Sequence, residues 1–165
     1  MLFAEMAHPI VFDCDWFVIE DKAHIKKLSY AAPSLGKFGV FSFTLPPGCS
    51  THRASLQRQS YHSHHLPWST RGDFNHDQVP TAISIILQRL CRRPSEMRFL
   101  AKGAEKCLIL EEWLPEVINL EESGCPKYED LTKLPKTTRN KALIFSLWYA
   151  SPMSSPQPRS AAVST

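Results

Sequence analysis

The chain has 165 residues, 43% of them hydrophobic, which is enough for one domain with a buried core and short for two. It contains no apolar run near the roughly 18 residues that cross a bilayer, and its N-terminus lacks the basic start and apolar stretch of a secretory signal, so we expect no membrane association and a cytoplasmic or nuclear location. The 19 basic and 16 acidic residues give a net charge of +3, too small an excess to indicate a nucleic-acid ligand by itself.

Three strands joined by short turns are predicted at the start of the chain. Residues 9–19 form a β-branched and aromatic run that suits a strand buried on both faces, and Asp13 and Asp15 interrupt this run. A second strand is predicted over 25–32 and a third over 38–45, where two prolines and a glycine end it. The expected inward side chains of the second strand are Ile25, Leu28 and Tyr30.

Helices and short strands alternate in the rest of the sequence. The helix from Val79 to Arg92 has the clearest pattern, because apolar residues recur at helical spacing and Pro80 fits its first turn. The other predicted elements are a short helix within 50–66, a strand over 97–101, a helix over 104–113, a strand over 117–120 and a helical turn over 127–131. From residue 134 the composition changes and ends rich in serine, proline and alanine, so we expect an irregular or disordered tail over 134–165.

Asp13 and Asp15 are the first candidate functional residues. They are two residues apart in a predicted strand, so both side chains point to the same face. Because burying uncompensated carboxylates costs several kcal/mol, the pair needs a cation, a basic partner or solvent at the strand end. A divalent-metal site and a polar strand end without metal both remain open.

The order β-β-β-α-α-β-α-β-α is similar to that of ribonuclease H-like folds, in which a carboxylate pair on the first strand binds divalent metal. The sequence Val-Phe-Asp-Cys-Asp-Trp-Phe (11–17) followed by Ile-Lys-Lys-Leu-Ser (25–29) resembles the start of the DEDDh 3′–5′ exonuclease family, with Asp15 where that family has glutamate. Residues 101–110 stand where the family has an Asn-x-x-Phe-Asp segment, and Glu105 is the only carboxylate there. The family's closing His-x-x-x-x-Asp motif has no match, because no histidine follows residue 125.

The sequence is more similar to uncharacterised invertebrate proteins of mobile-element type. It shares with them Lys-Gly-x-Glu-Lys (102–106), Asn-Leu-Glu (119–121) and Gly-Cys-Pro (124–126). Those proteins resemble the Maelstrom domain, a ribonuclease H-like module of RNA silencing that has lost the exonuclease carboxylates and carries a Glu-Cys-His-Cys zinc set. The resemblance implies Glu105 as a zinc ligand, although the downstream Cys, His and Cys are missing. It spans residues 8–133 and implies a three-layer α/β ribonuclease H-like domain with a mixed sheet, truncated at its C-terminus.

His62, His64 and His65 form a second candidate cluster. Two of them could bind zinc with one further ligand, for which the candidates are Cys49, His52 and His76. The spacing fits no finger or protease motif, and a solvated polar helix end explains the same residues. A similar His-x-Leu-x-Trp stretch in the invertebrate proteins implies that His64 lies near Asp13.

A groove for single-stranded nucleic acid needs basic side chains and aromatic platforms. The aromatic candidates are Tyr61 and Trp68, and scattered surface charge is the alternative interpretation of the basic residues. The basic candidates are Arg53, Arg58, Arg71, Arg92, Arg93, Lys102 and Lys106.

Three functional hypotheses follow. The first is a degenerate ribonuclease H-like domain that binds single-stranded RNA or DNA without efficient catalysis, because two-metal cleavage needs several carboxylates around metals about 4 Å apart. The second is a metal-dependent 3′–5′ exonuclease or other nuclease, in which Asp13, Asp15 and Glu105 bind Mg²⁺ or Mn²⁺ rather than zinc and His64 acts as the base. It requires the three carboxylates to lie within about 5 Å of one another. The third is a protein interaction module without nucleic-acid activity.

Overall fold

A hairpin of the two longest strands forms the framework of the sheet. β1 (His8–Ile19) and β2 (Lys22–Ala32) pair antiparallel. Between them Glu20 and Asp21 have φ angles of 52° and 64°, the left-handed conformation that a two-residue hairpin turn requires at both positions. These coordinates are a computed structural model that describes residues 7–151 of the chain.

Three shorter strands complete a mixed five-stranded sheet in the order β3-β2-β1-β4-β5. β3 (Lys37–Ser42) pairs antiparallel with β2, whereas β4 (Met97–Ala101) runs parallel to β1 and β5 (Val117–Asn119) runs parallel to β4. The pairing of β1 with β4 ends at Phe12 opposite Ala101. From Asp13 onward, β1 therefore continues beyond the end of β4.

Five helices are described. They are α1 (Arg53–His62), α2 (Val79–Leu90), α3 (Ala104–Leu110), α4 (Tyr128–Leu131) and α5 (Thr138–Ala150). Single 3₁₀ turns occur at Pro33–Leu35, Cys49–His52, Pro94–Glu96 and Leu120–Ser123. None of the helices within residues 7–151 has the length and apolar character needed to span a membrane.

Successive side chains of β1 point to opposite faces of the sheet and enter different hydrophobic clusters. Ile10 and Phe12 pack in one cluster with side chains of α2 and α3. Val11 packs in the other with Phe145 of α5 and Tyr128 of α4. Helices thus cover both faces of a mixed sheet, which confirms the predicted α/β class.

α1 packs against the part of β1 that extends past β4. Leu56 of α1 is buried with Phe17 of β1. The side-chain amide of Gln59 also accepts from the backbone N–H of Val18 at 2.7 Å and donates to its carbonyl at 2.8 Å. These bonds satisfy the backbone groups of Val18 on the edge of β1 that β4 does not reach, and they hold α1 beside the acidic segment of β1.

The predicted order of elements is confirmed, including burial of the three inward side chains of β2. The prediction of an irregular tail from residue 134 is wrong for 138–150, which form α5. The side chain of Thr137 accepts a hydrogen bond from the backbone of Asn140 and caps this helix. Ala142 and Phe145 are buried in its contact with the sheet. The remainder of the predicted tail, 152–165, lies outside the described residues.

Candidate functional site

Asp13 is the most deeply buried charged residue of the candidate site. It follows the last residue of β1 that pairs with β4, and its side chain is fully buried on the face of the sheet that α5 covers. A carboxylate in such a place is costly unless it is paired and hydrogen-bonded. The residues around Asp13 therefore determine what the site can bind.

Lysines from two helices neutralise Asp13. Lys106, in the first turn of α3, places its Nζ 2.5 Å from Oδ1. Thr138, the first residue of α5, donates its hydroxyl to Oδ2 at 2.6 Å. One turn further along α5, Lys141 places its Nζ 3.8 Å from the same oxygen. The cation that a buried carboxylate needs is thus supplied by the protein.

The pKa values of the two lysines beside Asp13 shift in opposite directions. Burial opposes the charge of Lys106, but the adjacent Asp13 outweighs burial and raises the pKa of this lysine. The pKa of Lys141 is lowered, first by burial and then by the nearby ammonium of Lys106, because the more distant Asp13 offsets only part of these effects. Lys106 is therefore the firm ion-pair partner of Asp13, and Lys141 is the lysine whose charge is less completely balanced.

Asp15 lies on the same face of β1, half-buried and directly across from Lys27 of β2. Burial raises the pKa of Asp15, and the negative charge of Asp13 raises it further, whereas both helix lysines oppose the shift. Asp15 is consequently easier to protonate than an ordinary aspartate. The ammonium groups of Lys106 and Lys141 thus face the two carboxylates of Asp13 and Asp15, and Lys27 lies across from Asp15 on the neighbouring strand.

Ser29 of β2 pairs directly with Asp13 across the hairpin. Its hydroxyl is the one buried side-chain polar atom within residues 7–151 that has no hydrogen-bond partner. Paired residues of neighbouring strands point to the same face, so this hydroxyl lies on the Asp13 side of the sheet. The carboxylate of Asp13 accepts its hydrogen bonds from Lys106 and Thr138 instead.

His64 lies at the edge of the same cluster, where α1 has ended. Its Nδ1 accepts from the backbone N–H of Leu66 at 3.1 Å, so Nε2 carries the proton that is donated to the carbonyl of Trp16, also at 3.1 Å. Burial lowers the pKa of His64, and the carboxylate of Asp15 partly opposes this shift. Because both ring nitrogens bind the backbone, His64 holds the loop after α1 against β1.

Glu105 does not join the two aspartates. It is exposed, whereas the next residue, Lys106, points to Asp13. Successive residues of a helix point about 100° apart, so the two side chains cannot both face β1. Among residues 7–151 no three His, Cys, Asp or Glu side chains are grouped as they would need to be to hold a metal ion. The predicted set of Asp13, Asp15 and Glu105 and the predicted histidine cluster are therefore not assembled in the part of the chain described.

Most of the basic residues of the predicted groove fall into two groups, one that forms ion pairs and one that remains exposed near α1. Lys102 lies 4.0 Å from Glu121 with its ammonium over the ring of Phe145, and Arg93 pairs with Glu96. The members that remain exposed on or near α1 are Arg53, Arg58 and Arg71, together with Tyr61.

Charge is segregated along the chain. From Lys22 to Gly72, a segment that holds β2, β3 and α1, there are seven lysines and arginines and no aspartate or glutamate. Residues 105–130, which span β5 and most of α3 and α4, contain eight acidic residues. The acid-free segment adjoins the site at Asp13 through β2, whereas Asp73 accepts hydrogen bonds from Ser42 at the end of β3 and Lys26 of β2 is buried.

Two residues of the site were missed by the sequence-based predictions. Thr138 and Lys141 belong to the segment that was predicted to be irregular. Their spacing of three residues places both on one face of a helix, and Thr137 is a favourable N-cap. These signals could have indicated a helix that presents a hydroxyl and an ammonium to the same neighbour.

No protein-family model matches the sequence, and no curated protein is significantly similar to it. A fold alone does not determine a function, so the site itself must carry the functional interpretation.

Proposed function

We propose that this chain is a ribonuclease H-like domain that binds single-stranded nucleic acid through its phosphates and does not hydrolyse it. The observation that carries the proposal is the pairing of Asp13 with Lys106 and Lys141. An ammonium group stands where a metal-dependent nuclease needs a divalent cation. The site keeps its position on the central strand, but two lysines of the chain balance its two carboxylates.

The sheet supports the ribonuclease H-like part of the proposal. Three meandering antiparallel strands come first, and two strands parallel to β1 follow, joined through helices that cover both faces. This agrees with the succession of elements that the sequence predicts for a three-layer fold of this type. Asp13 then lies at the place where the first strand of such a domain carries its acidic pair.

The residues present do not fit a catalytic metal. Mg²⁺ and Mn²⁺ need several oxygen ligands, and two-metal hydrolysis needs carboxylates arranged around both ions. Both oxygens of Asp13 are already engaged, Glu105 is exposed, and Asp15 is left as a single half-buried carboxylate. The nuclease hypothesis therefore lacks the ligands for its metal.

The same arrangement suits a phosphate. Asp13 balances the ammonium of Lys141 less completely than that of Lys106, and the raised pKa of Asp15 weakens the repulsion that this carboxylate would exert on an anion. The acid-free segment from Lys22 to Gly72 supplies the exposed basic side chains of Arg53, Arg58 and Arg71 beyond the site. A nucleic-acid backbone carries a row of phosphates and can use both features at once.

Salt-dependent binding tests the proposal. The affinity of the chain for fluorescently labelled single-stranded RNA and DNA would be measured by anisotropy as NaCl concentration is varied. We expect the logarithm of the association constant to fall linearly with the logarithm of salt concentration, with a slope that reports the number of phosphates contacted. Replacing Lys141→Met should reduce the magnitude of this slope by about 0.7, the contribution of one contact to a single strand.

Lys136→Met provides the matched control, because Lys136 is exposed and pairs with Glu129 instead of with Asp13 or Asp15. This variant should keep the slope of the unsubstituted chain. EDTA should not weaken binding, since the cation at Asp13 is a side chain. Absence of binding at low salt would refute the proposal. Cleavage that depends on Mg²⁺ or Mn²⁺ and is lost in Asp13→Asn would replace it with the nuclease hypothesis.

A further inference from the structure

A pocket at the C-terminal end of α1 lies within the acid-free segment and outside the Asp13 cluster. It has a volume of about 390 Å³. Its lining includes Gln57, Ser60, Tyr61, His65, Trp68 and Ser69. It therefore combines two aromatic side chains with several polar groups.

The two aromatic side chains of this pocket, Trp68 and Tyr61, differ in how far they are buried. Trp68 is partly buried and packs against the cluster formed by Phe17 and Leu56, which fixes it to the body of the protein. Tyr61 is 74% exposed and is the most exposed large hydrophobic residue of the described chain. Aromatic rings in this setting are platforms on which nucleobases stack, because every base has a π face.

Polar groups of the pocket are available to a ligand. Within residues 7–151, the side chains of Gln57, Tyr61, His65 and Ser69 make no hydrogen bond, whereas Ser60 donates to the carbonyl of Leu66 at 2.6 Å. The available set contains donors and acceptors, as recognition of the edge of an unpaired base requires. No carboxylate lies in the lining, so nothing there repels a nucleotide.

The loop that links the pocket to the Asp13 site has a fixed and unusual backbone. His65 has a φ of 60°, a left-handed conformation that few residues other than glycine adopt. Its backbone N–H donates to the carbonyl of Ser60 at 2.8 Å, which keeps it at the end of α1. The preceding residue, His64, contacts β1 beside Asp15, while His65 lines the pocket. One tight turn thus separates the lysine-rich site from the aromatic pocket.

We infer that this pocket binds one nucleobase of the single strand whose phosphates lie along the lysines, an inference that rests on the proposed function. A strand held at the Asp13 site passes the turn at His64 and His65 and places a base between Tyr61 and Trp68. Phosphate contacts then supply attraction without regard to sequence, and the pocket supplies the preference for a strand that carries bases.

Two single strands of equal length and charge separate these contributions. One carries thymine at every position, and the other is abasic throughout. We expect the chain to bind the thymine strand more tightly than the abasic strand in fluorescence anisotropy at fixed salt. Tyr61→Ala should lower the affinity for the thymine strand by about 5- to 100-fold, as the loss of one stacked base does, and leave abasic binding and the salt slope unchanged.

Leu108→Ala is the matched control, because Leu108 is 73% exposed on α3 and its replacement removes an equally exposed apolar side chain. It should bind both strands as the unsubstituted chain does. Quenching of Trp68 fluorescence, identified by its loss in Trp68→Phe, should accompany binding of the thymine strand and not of the abasic strand.

The outcomes distinguish this inference from the proposed function. If the chain binds both strands equally and Tyr61→Ala changes neither affinity, the base pocket is refuted while phosphate binding stands. If neither strand binds at low salt, the proposed function itself fails and this inference fails with it. Tighter binding of the thymine strand that survives in Tyr61→Ala and quenches no Trp68 fluorescence would place the base elsewhere and overturn the assignment.

Discussion

Replacing Lys106 with methionine tests the ion pair on which the site depends. Methionine keeps an unbranched apolar stem and removes the ammonium, so Asp13 stays buried with only the hydroxyl of Thr138 in hydrogen-bonding distance. Lys141 remains 3.8 Å away, too far for a hydrogen bond but close enough to offset part of the charge. Breaking a buried pair by removing one partner costs about 3–5 kcal/mol, and because Lys141 remains we expect about 3 kcal/mol.

Thermal and urea unfolding, followed by circular dichroism and tryptophan fluorescence, measure this cost. For a chain of this size, 1 kcal/mol corresponds to about 2–4 °C in the melting temperature, so Lys106→Met should melt about 6–12 °C lower. Asp13→Asn should cost less, about 1–2 kcal/mol, since the side chain of Lys106 is 17% exposed and its ammonium can reach water.

The double variant Asp13→Asn/Lys106→Met supplies the decisive comparison. It removes both charges together, and replacing a buried ion pair by uncharged residues of similar size is often neutral. The two substitutions should therefore cost less together than the sum of the single effects, with a coupling energy of at least about 1 kcal/mol. Additive costs, or a loss below about 0.5 kcal/mol in Lys106→Met, would refute the pairing as described.

Three further substitutions test other features. Asp15→Asn should raise the melting temperature at pH 7 and lose this advantage below pH 3.8, the ordinary carboxyl pKa. Folding raises the pKa of Asp15, so its carboxyl costs stability as the pH rises from 3.8 through the pKa of the folded state. Melting temperatures measured across pH check this prediction, and a gain that persists at pH 3 contradicts it. Gly72→Ala should cost about 3 kcal/mol or more in urea unfolding, because its Cβ would lie 2.3 Å from the backbone nitrogen of Phe43, whereas exposed Arg71→Ala should change stability by less than about 0.5 kcal/mol. Ser29→Ala should leave the free energy of unfolding unchanged or raise it by up to about 1 kcal/mol, since it removes a buried hydroxyl without a partner, and a loss above 1 kcal/mol would show that the hydroxyl is bonded.

The strands of this fold could be predicted because their local and tertiary signals agree. β1 is a dense run of β-branched and aromatic residues, and the structure buries it on both faces. Polar turns separate β1 from β2, and the side chains expected to point inward from β2 are buried. The period of two that defines a strand also places Asp13 and Asp15 on one face.

α5 was missed because its buried face is partly polar. The buried positions are 138, 142, 145 and 146, which follow the spacing of one helix face. Two of these residues, Thr138 and Ser146, are polar, and one is alanine, so the apolar stripe was not visible in the sequence. The burial of Thr138 has its cause in another part of the chain, since its hydroxyl bonds to Asp13.

The choice between Glu105 and Lys106 could not be made from the sequence either. Which residue of a short helix faces the sheet depends on where the helix begins, and a shift of one residue rotates every side chain by about 100°. α3 begins after Gly103, whose φ of 114° suits glycine and whose N–H donates to the side chain of Asn119 at 2.9 Å. A contact with β5, distant in sequence, thus determines that a lysine and not a glutamate reaches β1.

The identity of the cation at Asp13 decides what the site can bind. A divalent ion at Asp13 would have to displace the ammonium of Lys106. The ammonium groups of Lys106 and Lys141 would then lie close together with less negative charge to balance the two lysines. Because the neutralising charge is covalently part of the chain, it is present at any metal concentration. The ammonium of Lys141, which Asp13 balances only in part, is the group of this cluster that remains for an anion from outside, as the proposed binding of a nucleic-acid backbone requires.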